Sequence, residues 1–133
     1  MDRVRDAMVV DPPQLEGEAS AQEAGEAFDR PEVRAVFVCE GGRFLGVVTR
    51  KTLVREIVAA GRDPRGTQLR EIVELPLNTI GSELPLDEAF RFLEEQDLER
   101  VPVLEEGRLV GVLSRAVLQR RLAEDEPPAE EEL

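Results

Sequence analysis

A self-similarity at one fixed offset constrains this chain more than any other feature. Shifted by 65 residues, Gly42-Arg43-Phe44-Leu45-Gly46-Val47-Val48-Thr49-Arg50 falls without a gap on Gly107-Arg108-Leu109-Val110-Gly111-Val112-Leu113-Ser114-Arg115. Leu53 then meets Leu118, Arg55 meets Arg120, Val36 and Val38 meet Val101 and Val103, and Glu23-Ala24 meets Glu88-Ala89. Val4–Val58 against Leu69–Ala123 gives 14 identities in 55 positions, and many of the other pairs are apolar for apolar. Such a chain folds as two copies of one supersecondary unit, and a unit of about 55 residues buries too little apolar surface to stand alone.

Each copy carries the same order of signals. After an extended lead segment, Ser20-Ala21-Gln22-Glu23 forms a capping box that opens a helix running to about Asp29. Pro85-Leu86-Asp87-Glu88 opens its counterpart, with Leu84, Ala89, Phe92 and Leu93 as an apolar stripe. Strands follow at Ala35–Cys39 and Val101–Leu104, then a turn rich in Gly and Glu, then strands at Phe44–Val48 and Leu109–Leu113, which makes a hairpin in each copy. Thr49 and Ser114 stand where an N-cap belongs, before helices Arg50–Ala60 and Arg115–Ala123. Gly61 suits the position past a helix end, ahead of the linker Arg62-Asp63-Pro64-Arg65-Gly66. The expected organisation is a first repeat over 1–60, a linker over 61–68, a second repeat over 69–123 and an acidic disordered tail over 124–133. Packed together, the two make one pseudo-two-fold α/β (α+β) body with a cleft between the halves.

Composition narrows the chemistry. The 133 residues include no His, which removes the commonest general base and transition-metal ligand, and one Cys, Cys39, which sits in an apolar run and reads as a small buried hydrophobe. No nucleophile–base pair or metal cluster assembles from what remains, so the expectation is not an enzyme. Seventeen Lys plus Arg against 29 Asp plus Glu leave a net charge of −12, unlike the basic footprint of a nucleic-acid binder. Half of that charge belongs to Glu124–Leu133, with six acids and no base. The balance reverses locally: Arg43, Arg50, Lys51, Arg55, Arg62, Arg65 and Arg70 face only Glu56 and Asp63, a run that spacing alone reads as solvated helix and linker rather than as a phosphate-facing patch. There is no 18-residue apolar stretch and no apolar core of a signal peptide, so no membrane partner and a cytoplasmic location are expected.

Two copies of G-R-h-h-G-h-h-(S/T)-R (h apolar) in register, each between an apolar strand and a closing helix, resemble the tandem cystathionine-β-synthase (CBS) domain pair, or Bateman module, of the stand-alone bacterial type. Arg100-Val101-Pro102-Val103-Leu104, the lead segment Val4-Arg5-Asp6-Ala7-Met8 and the linker Gly61-Arg62-Asp63-Pro64 add to the likeness, which covers about residues 3–122. The resemblance implies β-α-β-β-α repeats and a regulatory binding module with no cofactor proper. Its regulatory ligand would be adenine-containing, such as AMP, ADP, ATP or S-adenosylmethionine, held between repeats. It also implies a homodimer formed through helices and an effector in another chain.

By that analogy the backbone around Val36, Phe37 and Val38, and around Val101 and Pro102, lines the adenine. The hydroxyls of Thr49 and Ser114, with Arg50, Lys51 and Arg115, hold ribose or phosphate oxygens. Simple N-capping, at about 1 kcal/mol each, equally accounts for both hydroxyls. The nucleotide-binding pattern G-h-h-(S/T)-x-x-D departs here: Thr52 and Val117 stand where the ribose-binding Asp belongs. The Thr52 half therefore keeps the better claim, and one weak or atypical site is the expectation. The alternative is a dimer scaffold or protein-interaction module without a physiological nucleotide, with Mg²⁺ sensing by surface acids such as Glu16, Glu18, Glu23 and Glu26 as a minor third.

Overall fold

The structure, a computed structural model, describes residues 2–76 and 78–124. The expected acidic tail lies, beyond its first residue, outside the described residues. Among the described residues six α-helices and six strands follow in this order: α1 (Val4–Ala7), β1 (Gln14–Glu16), α2 (Ala21–Ala27), β2 (Val36–Glu40), β3 (Arg43–Val48), α3 (Arg50–Leu53), α4 (Leu69–Ile72), β4 (Ile80–Gly81), α5 (Leu86–Glu95), β5 (Arg100–Glu105), β6 (Arg108–Ser114) and α6 (Arg115–Glu124). Strand β2 pairs in parallel with β1 and antiparallel with β3, and β5 pairs in parallel with β4.

The hairpins and the helix starts stand within a residue or two of the expected places. Ser20 accepts from the Glu23 amide at 3.2 Å while Glu23 accepts from the Ser20 amide at 3.1 Å, the reciprocal box read from the sequence. Two elements differ. Each lead segment begins with a helical turn, α1 or α4, rather than running extended throughout. The expected helix Arg50–Ala60 is α-helical only over its first turn and widens to a π-helix over Val54–Val58, with the Ala59 amide bonded to the Val54 carbonyl at 2.8 Å. The wide turn keeps Ile57 buried while Val54 and Val58 stay exposed. Gly61 takes the left-handed φ of +68° that ends the segment.

Two compact units form, and they are not coextensive with the two repeats. One collects residues 2–10, 78–105 and 110–124; the other collects 11–76 and 106–109. In the first, Val4 from α1 packs with Leu86, Leu93, Val101, Val103, Leu113 and Leu118. In the second, Leu69 and Ile72 from α4 pack with Ala24, Phe28, Val36, Val38 and Val48. Each lead segment has thus been exchanged, so that α1 completes the core of the second hairpin and α4 that of the first. Core positions nevertheless obey the 65-residue offset: Val4 and Leu69, Ala24 and Ala89, Val38 and Val103, and Val48 and Leu113 are all fully buried.

Candidate functional site

Strand β3 ends at the start of β2, since Val48 lies opposite Val36, and this brings Thr49 to the Ala35 end of the strand. Thr49 and Thr52 cap one another. The Thr49 hydroxyl accepts from the Thr52 amide at 3.3 Å, and the Thr52 hydroxyl accepts from the Thr49 amide at 3.0 Å. Thr52, fully buried, donates its proton to Glu74 Oε1 at 3.0 Å, which leaves the Thr49 hydroxyl to donate across the 3.1 Å between the two oxygens. Neither hydroxyl proton remains free.

Glu74 comes from the exchanged lead segment. Its backbone exchanges two hydrogen bonds with Val47, at 2.8 and 2.9 Å, and Gly46 makes room: a Cβ there would overlap the Glu74 carbonyl oxygen. Arg55 completes the group by donating to Glu74 Oε1. Its hydrogen bonds to Glu56 and to Glu74 push the already high guanidinium pKa further up, so the charge is fixed.

The arginine after each hydroxyl does other work than expected. Arg50 turns toward the end of α2, donating to the carbonyls of Phe28 at 2.7 Å, Val33 at 2.8 Å and Arg30 at 3.0 Å, and lies over the Phe28 ring at 5.0 Å. Arg115 likewise pairs with Glu99 at 2.5 Å and Asp97 at 3.6 Å, just past α5. Both guanidinium groups hold the loop between helix and strand. Elsewhere in the basic run, Arg62 pairs with Glu71 at 2.8 Å and Arg70 with Glu40 at 3.2 Å, in keeping with the solvated reading of that stretch. Lys51 is exposed and forms no ion pair among the described residues.

On β2, Val36 and Val38 belong to the core, whereas Phe37 points to the opposite face, with its ring 6.3 Å from that of Phe44. On β5, Val101 is core and Pro102 is buried. Pro102 has no amide to donate, so the bond that Phe37 makes to the Pro13 carbonyl has no counterpart, and β4 begins one position later than β1 at the repeat offset. Among the described residues the Ser114 hydroxyl accepts only from the Val117 amide, at 3.4 Å. Cys39 is buried, and burial followed by the charge of Glu16 raises its thiol pKa, as suits an inert core residue.

A family model described as the CBS domain matches residues 4–59 and again 69–124. The chain belongs to the CBS domain family. This CBS pair is 30% identical over 94 residues to hypoxic response protein 1 of Mycobacterium tuberculosis, covering 70% of this chain and 66% of that protein. It is 25% identical to the CBS domain-containing protein YhcV of Bacillus subtilis, covering 86% and 81%. The chain thus spans about two thirds of the first relative's length, and 41% of another, a Methanopyrus kandleri protein. Among solved structures, hypoxic response protein I with two coordinated zinc ions matches with a TM-score of 0.77 at 25% identity, over 91% of this chain and 99% of that one. CBSX2 in complex with AMP matches with 0.76 at 20%, over 96% and 100%.

Sequence reasoning missed Glu74 in this CBS pair. The signal was present at the repeat offset, where Glu74 matches Val9 as Thr52 matches Val117: one repeat carries a polar pair where the other carries two valines. Only the exchange of lead segments makes residues 22 positions apart a pair.

Proposed function

We propose that this CBS pair is a non-catalytic sensor that binds one adenine-containing ligand at the Thr49 end of its first repeat and acts through self-association or a partner protein. The observation that carries this reading is the difference between the repeats. The Thr49 end holds Thr52, the half-exposed Glu74 carboxylate, exposed Lys51 and the 78% exposed Leu75, while the Ser114 end has valine at both counterpart polar positions. Apolar surface for a base, a cation for a phosphate and an acceptor for hydroxyls are the elements of a nucleotide site. AMP bound to a neighbour of the same fold supports the ligand class. With no His and a single buried Cys, this chain lacks the His and Cys ligands that zinc sites commonly use.

The test is thermal unfolding against AMP, ADP, ATP, S-adenosylmethionine, NAD and Mg²⁺. A ligand at about 100 times its dissociation constant adds about 2.7 kcal/mol, several degrees for a chain of this size. Thr49→Val, which breaks the mutual cap that positions Thr52 beside Glu74, removes most of the ligand-induced rise, and Ser114→Val removes little. A flat panel transfers the assignment to the second reading, a dimer scaffold. That reading draws on Val54 and Val58, 58% and 73% exposed, beside a groove lined by Ala21, Gly25, Phe28, Leu53 and Ile57, and on a neighbour of the same fold whose structure is hexameric.

A further inference from the structure

We infer that Glu74 is the group that accepts the vicinal hydroxyls of the ligand, so that this site selects a ribose over a sugar lacking them. The inference rests on the nucleotide reading above and assigns a residue and a selectivity to it.

Both partners of the Glu74 side chain, the Thr52 hydroxyl and the Arg55 guanidinium, use the same oxygen, Oε1. Among the described residues Oε2 has no hydrogen-bond partner, and the side chain is 45% exposed. A carboxylate accepts and never donates, and Oε2 keeps both of its lone pairs. The threonine protons are already committed, so what the site still offers a ligand is an acceptor at Oε2 and a cation at Lys51. A cis-diol supplies two donors to such an oxygen and a phosphate suits the lysine, whereas a phosphate set against Glu74 would be repelled. Arg55 offsets the charge of the acid without covering its free oxygen. The two backbone hydrogen bonds to Val47 and the close approach at Gly46 fix where the carboxylate starts from, so its placement does not depend on a ligand. The second repeat is the internal control. Val9 makes the same paired backbone contact, with Val112 at 2.8 and 2.9 Å, yet offers no acceptor, and Val117 offers none either.

Isothermal titration of the full chain with AMP and with 2′,3′-dideoxy-AMP tests this. Wild type prefers AMP by about ten- to hundred-fold, the range for a hydrogen bond to a charged group. Glu74→Gln narrows that preference, and the double variant Thr52→Val with Glu74→Val, which copies the valine pair of the second repeat, brings it to within about two-fold, chiefly through loss of AMP affinity. If wild type binds AMP but the variants keep the preference, or lose both ligands equally, Glu74 is not the acceptor and the nucleotide reading stands without it. If wild type binds neither ligand, the Glu74 assignment falls, and the thermal panel above decides the nucleotide reading separately.

Discussion

Arg50 and Arg115 show how a residue legible as a motif can have its role decided by what surrounds it. Each follows a hydroxyl at a helix start, where a guanidinium suits an anion, and each instead reaches back to the loop after the preceding helix. The guanidinium meets the carbonyls of Phe28, Arg30 and Val33 there, the Arg30 carbonyl also accepting from the Val33 amide, and in the second repeat Asp97 and Glu99 replace them with charge. A planar five-donor group meets three carbonyls at once, which an ammonium cannot do. Arg50→Lys is therefore expected to lower unfolding free energy by about 1–2 kcal/mol in urea titration, because three acceptors lose a rigid donor set. An unchanged midpoint would mean that the clasp contributes nothing. Thr52 illustrates the reverse case. Its hydroxyl was legible as a weak substitute for a missing acid, but the acid itself arrives from 22 residues away, and no local spacing could have shown it.

At the scale of elements, the second glycine of each G-R-h-h-G run has a steric reason that the strand alone does not reveal. Gly46 faces the Glu74 carbonyl, and Gly111 faces the Val9 carbonyl at 2.8 Å and Met8 Sδ at 2.7 Å, measured from where a Cβ would sit. Both glycines let an exchanged lead segment bridge to the strand, at Val47 and Val112. Gly46→Ala is expected to cost roughly 2–4 kcal/mol, since backbone rather than a flexible side chain stands in the way and φ is +151°. Gly25→Ala, in α2 with nothing within 4 Å, serves as the comparison and should gain about 0.5–1 kcal/mol. Equal effects of the two in denaturant unfolding would refute the close approach at Gly46. The helix after Thr49 is the element that sequence pattern described least well. Its apolar residues fit a helical period, and the widening into a π-turn at Val54–Val58 is a change of hydrogen-bond partner that side-chain periodicity does not record.

At the scale of the molecule, the exchange of lead segments separates covalent repeat from folded unit. Val4 is fully buried among residues of the second repeat, and Leu69 among those of the first. Fragments 1–66 and 67–133 should therefore each lack a cooperative thermal transition by circular dichroism, and an equimolar mixture should regain one; a cooperative transition in either fragment alone would contradict the exchange. The sequence by itself determined the repeat, its order of elements and its core positions. Those depend on local propensity and on periodic apolar residues, and both copies state them at the same offset. It also determined that one half retained a polar hydroxyl where the other has valine. Only the tertiary structure decided which lead segment completes which core, that Arg50 and Arg115 bind loops, and that Glu74 stands against Thr52. Each of these is a pairing across the chain in which several partners of suitable chemistry compete, and the winner is chosen by the packing of Leu69, Ile72 and Val4 rather than by any residue at the site.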